Sequence, residues 1–163
     1  MIFKGISKMA VIAILLVALV VGVTAKMIWQ NARVPAYVGV QDGKFTPLPS
    51  SPNAVSSQTD DAARHVEPLP ARATQEETKA AIEQTLDEMG KNKLVKSEGP
   101  YLHVVFTSAQ MSYNDDVVFW IDQDAGFVHY RSQSRVGYSD GGANRARYDS
   151  FQRAYLTKKL TPR

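Results

Sequence analysis

The N-terminus of this chain carries an uninterrupted apolar run that few kinds of structure can accommodate. Residues 9–25 are seventeen consecutive positions without a charged side chain. A secretory apolar region is about 7–15 residues long, whereas a membrane-spanning helix needs about 17–25. The flanking residues suit the two membrane surfaces: Lys4, Lys8, Lys26 and Trp29. We therefore predict an uncleaved signal anchor over residues 1–30, with a signal peptide cleaved at Val23-Thr24-Ala25 as the alternative.

The excess of positive charge lies in this N-terminal region. The formal net charge is +3, yet residues 1–34 carry four basic side chains and no acidic one. The rest of the chain is therefore nearly neutral, with its basic side chains concentrated in residues 131–163. This balance is not typical of a nucleic-acid-binding domain, so no nucleic-acid partner is expected. Cysteine is absent, which excludes a disulfide framework, a thiol nucleophile and thiolate metal ligands.

Residues 31–73 separate the anchor from the first periodic segment and are rich in proline and serine. They show little apolar periodicity, so we predict a tether that becomes a packed irregular segment near PNAVSSQTDD. A single domain is then expected over residues 74–163, because the remaining length suits one compact core.

The first helix of that domain is predicted over about 75–89. Thr74 and Glu77 form a capping box, in which the hydroxyl caps a backbone N–H and the carboxylate reaches back. Gly90 suits the position after the last helical residue. The predicted apolar stripe consists of Ile82, Leu86 and Met89.

Four strands and a second helix follow. The strands are predicted at 94–98, 101–108, 116–122 and 127–132, with a hairpin turn at 123–126. The second helix, over about 142–157, has Asp140 or Ser139 as its N-cap. Its expected apolar stripe is Tyr148, Phe151, Tyr155 and Leu160. This order predicts an α+β fold, a four-stranded antiparallel sheet with two helices packed on one face, preceded by the N-terminal transmembrane anchor.

Arginines and small polar residues are concentrated in the stretch YRSQSRVGYSDGGANRAR, residues 130–147. Such a cluster either stabilises the fold as an internal network or binds a phosphate, sulfate or carboxylate near a helix N-terminus. Both interpretations stay open. The candidate anion-binding residues are Arg131, Ser134, Arg135, Asp140, Asn144 and Arg145.

The arginines of this stretch are expected to differ in role. Strand alternation predicts that Arg131 points away from the sheet face that holds Tyr130. Helical angles place Arg145 at the margin of the apolar stripe, so Arg145→Ala is expected to destabilise the fold strongly. Arg135 lies in the glycine-flanked loop and is expected to face a ligand, so Arg135→Ala should leave melting nearly unchanged.

Other chemistry finds less support. His103 and His129 lie on predicted strands, and a metal pair with Asp116 or Asp122 is conceivable, but no known ligand spacing is present. Serines are abundant, yet there is no GxSxG elbow. Asp115 and Asp116 point to opposite sides of an extended chain and are interpreted as turn or strand-edge residues. No catalytic residue, metal site or cofactor is therefore predicted.

Three spaced motifs resemble those of the domain-of-unknown-function family numbered 1499, whose members occur in bacteria and plastids. They are SPNAVSSQ at 51–58, YLHVVFTS with DDVVFWID at 101–122, and RSQSRVGYSDGGANRAR at 131–147. The resemblance covers about residues 47–157. It implies a fold and a motif but no reaction. Family members often carry cysteine where this chain has Leu48 and Ala54.

Taken together, these features predict a single-pass protein of the bacterial inner membrane with its C-terminal domain in the periplasm. The short basic leader before the apolar run favours this orientation. The expected function is non-enzymatic binding of an envelope protein or an anionic small molecule, with membrane contact through the N-terminal helix. The alternative is a small hydrolase or transferase that acts on an anionic envelope substrate.

Overall fold

The computed structural model describes residues 7–158 and divides into two compact units, Met1–Arg33 and Val34–Arg163. In the first unit, helix α1 spans Lys8–Ala32, and the Ser7 side chain caps it by accepting a hydrogen bond from the Ala10 N–H. This helix is long and apolar enough to cross a membrane, a property that signal sequences share. Lys4 of the predicted leader lies outside the described residues.

The second unit begins with a short 3₁₀ turn and alternates strands and helices along its described part. The elements are, in chain order, the 3₁₀ turn Ala36–Val38, β1 Val40–Gln41, β2 Lys44–Phe45, β3 Ala54–Ser56, β4 Leu69–Pro70, α2 Gln75–Met89, β5 Asn92–Glu98, β6 Tyr101–Thr107, β7 Asn114–Asp122, β8 Phe127–Ser134 and α3 Ala143–Thr157.

The main sheet has six strands, so the prediction of four is wrong. Strands β3, β8, β7, β6 and β5 lie side by side in that order, β4 also pairs with β8, and all these pairings are antiparallel. The additional strands β3 and β4 come from the segment predicted as a tether. They are three and two residues long, too short to carry an alternating pattern. The second compact unit spans Val34–Arg163 and therefore includes this segment.

Both predicted helices are present, and they pack on the same face of the sheet, here called the helix side. The Thr74 hydroxyl accepts a hydrogen bond from the Glu77 N–H at 3.1 Å, and Gly90 ends α2 with a φ of 60°. One core cluster joins both helices to the sheet; among its members are Ile82, Leu86, Leu102, Val104, Val117, Phe119, Val128, Tyr130, Tyr148, Phe151 and Tyr155. The predicted stripe residue Leu160 lies outside the described residues.

The opposite face of the sheet is covered by residues 34–48, which we call the cover segment. Val38 in this segment is buried, and its carbonyl accepts a hydrogen bond from the Tyr101 hydroxyl at 2.9 Å. Gly43 lies so close to Trp120 that an added Cβ would be 3.1 Å from the indole Nε1, and its φ of 74° also favours glycine. The domain therefore has a helix side and a cover side.

Candidate functional site

The end of β8 and the start of α3 are joined by buried hydrogen bonds on the helix side. We call this the helix-side network; it comprises Asn53, Asp115, Ser132, Ser134, Asp140, Asn144 and Arg147. Asn144 is fully buried at its centre. Its side-chain nitrogen donates to the Asn53 carbonyl at 2.9 Å and to the Asp140 carboxylate at 2.7 Å. Asn144 thus connects the first and the last of the three sequence motifs.

An ion pair closes the network toward the middle of the sheet. The Arg147 guanidinium pairs with the Asp115 carboxylate and donates a 3.1 Å hydrogen bond to the Ser132 hydroxyl. Its Cζ also lies 4.8 Å from the ring centroid of Phe106. Strands β6, β7 and β8 therefore all hold this side chain in place.

Asp140 caps α3, although from an earlier position than predicted. Gly142 occupies the N-cap position with a φ of 84°. The Asp140 carboxylate nevertheless accepts hydrogen bonds from the N–H groups of Gly142 and Asn144, both at 2.9 Å. The N-cap residue is therefore Gly142, and not Asp140 or Ser139 as predicted. Gly141 and Gly142 both have positive φ, which lets the chain turn before the helix starts.

A second buried polar group lies on the cover side; we call it the Asp116 cluster, formed by Tyr37, His103, Asp116 and Arg135. The Asp116 side chain has no exposed area. Arg135 donates two hydrogen bonds to it, at 2.8 and 2.7 Å, His103 contacts it at 2.8 Å, and the Tyr37 hydroxyl donates at 3.0 Å. A carboxylate offers about four lone-pair positions, so its capacity is filled.

Two opposing effects set the pKa of Asp116. Burial raises it, but the hydrogen bonds from Arg135 and His103 outweigh burial and hold the pKa below its ordinary value. Burial, followed by the charge of Asp116, raises the pKa of the Tyr37 hydroxyl, which keeps its proton and remains a donor. Asp116 is therefore an ionised, fully coordinated carboxylate and not a free general base.

The six candidate anion-binding residues do not form a single site. Three belong to the helix-side network, two face the cover segment, and one contacts the 63–65 loop; they are Ser134, Asp140 and Asn144, then Arg131 and Arg135, then Arg145. The predicted direction of Arg131, away from the face of Tyr130, is confirmed. Anion binding by these residues stays a prediction.

Two expectations about individual arginines are wrong. Arg135 continues the alternation of β8, so its side chain is 5% exposed and paired with Asp116 instead of facing a ligand from an open loop. Arg147, and not Arg145, joins the internal network, because it lies one helical turn after Asn144 on the same face. Arg145 donates to the backbone carbonyls of Ala63 and His65.

The sequence interpretation missed both carboxylates that anchor these groups. Asp115 and Asp116 do point to opposite faces, as expected, but both are buried and each pairs with an arginine. A usable signal was present. Two adjacent carboxylates at the start of a strongly apolar strand must find partners if the strand is buried, and several arginines follow in the next strand and helix.

Of the features considered for catalysis, a serine–histidine contact has the most suggestive geometry. The Ser57 hydroxyl lies 3.3 Å from His129 Nδ1 and also accepts a hydrogen bond from the Tyr130 N–H at 2.9 Å. Burial lowers the pKa of His129. His103 contacts Asp116 instead, and within residues 7–158 no three metal-ligating side chains come together.

The family model described as a protein of unknown function, DUF1499, matches residues 44–154. The chain belongs to the DUF1499 family. The match confirms the resemblance inferred from the three motifs. The matched range contains every residue of the helix-side network, together with Asp116 and Arg135. Tyr37 and helix α1 lie before the matched range. Searches of curated proteins and of solved structures found no match.

Proposed function

We propose that this DUF1499 protein is a membrane-anchored, exported binding domain without catalytic activity. It would reside in the bacterial inner membrane, held by α1, with its domain in the periplasm. Its ligand would be an envelope protein or an anionic small molecule. The apolar character of α1 and the basic residues Lys4, before it in the sequence, and Lys8, at its start, support this location.

One observation carries the choice of binding over catalysis. The two buried carboxylates, which could otherwise serve as general bases, are held in internal contacts: Asp116 by four hydrogen bonds, and Asp115 by Arg147. Enzymes keep a base or nucleophile within reach of a substrate. By contrast, Tyr138 is 77% exposed in a glycine-containing loop, and Met111 is 61% exposed. Exposed aromatic and methionine side chains suit recognition.

The alternative, a hydrolase or transferase, gains support from the contact between Ser57 and His129. A histidine that accepts the serine proton is the first requirement of nucleophilic serine catalysis. Ser57 is only 8% exposed, however, and its hydroxyl also accepts the Tyr130 N–H, as expected of a residue that extends the β3–β8 pairing. The structural role therefore explains Ser57 without a reaction.

Location is tested with reporter fusions at the C-terminus. An exported alkaline phosphatase should be active there, whereas a cytoplasmic fluorescent reporter should be dark. A matched pair of fusions to a chain that lacks residues 1–33 should show the reverse pattern. Phosphatase inactivity in the full-length fusion would refute export, and release of the fusion from membranes by alkali would refute anchoring.

Catalysis is tested with a fluorophosphonate probe, which labels activated serine nucleophiles. The proposed binding domain should remain unlabelled, like its Ser57→Ala variant. Labelling of the wild type that disappears in Ser57→Ala would overturn the proposal in favour of the hydrolase.

Binding is tested by a photo-crosslinking residue at Tyr138, with the same residue at Leu156 on α3 as the control. A discrete adduct at position 138 alone supports recognition, and its absence argues against it.

A further inference from the structure

Arg131 is a buried cation without an acidic partner. It lies in the middle of β8 and is 1% exposed. Within residues 7–158, no carboxylate lies at ion-pair distance from its guanidinium, and its Nε–H has no hydrogen-bond partner. Burial lowers the pKa of Arg131 to about 10, which still leaves it charged at neutral pH.

The groups around Arg131 are all neutral. Its Nη1 donates to the carbonyl and, at 3.0 Å, to the hydroxyl of Thr46 in the cover segment, and its Nη2 donates to the Gln133 side chain. Its Cζ lies 5.1 Å from the ring centroid of Tyr37. Asp116 on the same face is already matched by Arg135.

Three partly buried arginines of the domain show how such a charge is usually balanced. Arg135 and Arg147 each pair with an aspartate. Arg72 also has an unpartnered Nε–H, but its Nη2 donates to the Tyr155 carbonyl in the last turn of α3, where the helix carries partial negative charge. Arg131 has neither form of compensation. Leaving a buried charge uncompensated is costly, so its retention calls for a counterion.

A cleft of about 370 Å³ lies beside Arg131. Two of its lining residues are direct neighbours of Arg131: Thr46, which accepts from the guanidinium, and Ser56, which is its register partner in β3. Gln58, Asp60, Asp61 and Arg64 also line the cleft. The Arg64 guanidinium is paired with Asp61 and donates to the carbonyls of Pro49 and Ser51, so Arg131 is the cation near this cleft that has no acidic partner among the described residues. Thr46 therefore stands between the cleft and the buried charge.

We propose that this cleft binds a small oxyanion, a phosphate, sulfate or carboxylate group, with Arg131 as its counterion. The oxygens of the anion take the place of the Thr46 carbonyl and hydroxyl, which accept hydrogen bonds from Nη1 in the structure. Binding therefore requires Thr46 and the residues that follow it to move aside. The proposal places the anion on the cover side and excludes the helix-side network, where the donors already have partners.

The anion site deepens the proposed function, because it names the ligand class of the proposed binding domain, and it rests on that function only in assuming that the domain binds a ligand. Its failure appears in the purified protein, whereas failure of the proposed function appears in the fusion and labelling experiments. An exported protein that shows no anion effect would refute the site alone.

The test measures melting of the full chain in a zwitterionic detergent at pH 7. Potassium phosphate, sulfate and acetate are each compared with potassium chloride at equal ionic strength. We expect a saturable rise of a few degrees with at least one oxyanion in the wild type, because a ligand that binds the folded state stabilises it. Arg131→Gln should lose this rise. Arg153→Gln, which removes an exposed guanidinium from α3, should keep it.

A wild type indifferent to all three oxyanions would overturn the site, as would a rise that persists in Arg131→Gln. If that variant does not fold, the guanidinium Nε–H signals of the wild type give the answer. The Arg131 signal, identified by its perturbation in Thr46→Val, should shift on titration with phosphate, while the Arg135 signal stays fixed. The opposite pattern would overturn the proposal.

The same experiment separates two sources of the anion. Micelles that contain phosphatidylglycerol present a phosphate headgroup, whereas inorganic phosphate is free in solution. A rise in melting that needs Arg131 supports the site with either source. The source that acts at the lower concentration identifies the ligand.

Discussion

The two polar groups of the domain lie on opposite faces of the same strands, yet they are built from different chemistry. The helix-side network is centred on the neutral amide of Asn144, which hydrogen-bonds to the Asn53 carbonyl, the Asp140 carboxylate and the Arg147 guanidinium; the ion pair of Arg147 with Asp115 lies at its edge. The Asp116 cluster is ionic at its centre, with Arg135 bound through two hydrogen bonds to a carboxylate that has no exposed area.

This difference separates two ways of joining chain segments. The amide of Asn144 fixes distances and directions, because it connects the 51–58 motif to the start of α3 through a hydrogen bond to the Asn53 carbonyl and accepts another from the Ser132 hydroxyl of β8. The Asp116 cluster instead attaches the cover segment to the sheet by charge, with Tyr37 as the contact. Loss of one partner should therefore cost more on the cover side, where a buried charge would remain.

The largest expected effect comes from Arg135→Ala. The substitution leaves Asp116 buried without its cation, which should lower the free energy of unfolding by about 3–5 kcal/mol. Arg145→Ala is the matched control, since Arg145 donates to backbone carbonyls and is partly exposed, and this substitution should lower the free energy of unfolding by about 1 kcal/mol or less. Chemical denaturation in detergent measures both. Equal losses would show that the two faces do not differ in this way.

The sequence predicted the helices and strands that are long enough to show a regular apolar pattern. Helix α2 and strands β5–β8 follow from periodicity, capping and turn residues, and the resemblance predicted the family. Periodicity carries no information about β3 and β4, because two or three residues cannot show a pattern. The sequence indicates that Asp115 and Asp116 need cationic partners, but it does not indicate which arginine pairs with each of them. Each pairing depends on the face that the arginine occupies. A shift of one residue reverses that face in a strand and rotates the side chain by about 100° in a helix.

Acid should weaken the cover side. The pKa of Asp116 is held below its ordinary value. The stabilisation of the fold by Asp116 is therefore complete above about pH 4 and is lost as the pH falls through the lowered pKa. Asp116→Asn should be less stable at pH 7 but should lose less stability between pH 5 and 3. Denaturation over this pH range makes the comparison.

Asp61 provides the control for this pH dependence. A hydrogen bond from Arg64 also lowers the pKa of Asp61, but this pair is partly exposed. High salt should therefore reduce the contribution of Asp61 and leave that of Asp116 nearly unchanged. If salt abolished the difference between wild type and Asp116→Asn, Asp116 would not be shielded from solvent.

Tyr37→Phe tests the attachment of the cover segment. It removes the hydroxyl that donates to Asp116 but keeps the ring beside Arg131. We expect a loss of about 1.5–3 kcal/mol, the usual value for a hydrogen bond to a charged group. Tyr138→Phe, on an exposed side chain, should cost almost nothing. If limited proteolysis cuts the cover segment no faster in Tyr37→Phe than in the wild type, another contact holds the segment.

The smallest effect is expected on the helix side, at Asp140. Its carboxylate accepts from the N–H groups of Gly142 and Asn144 and from the Asn144 side chain, so Asp140→Ala removes the cap and should cost about 1–2 kcal/mol. Asp140→Asn retains an oxygen acceptor and should cost less, because Asn144 supplies neutral contacts that do not require a charge. The two variants thus separate geometry from charge in this network. If Asp140→Asn proved as damaging as Asp140→Ala, charge would be as important on the helix side as on the cover side, and the contrast between the two faces would fail.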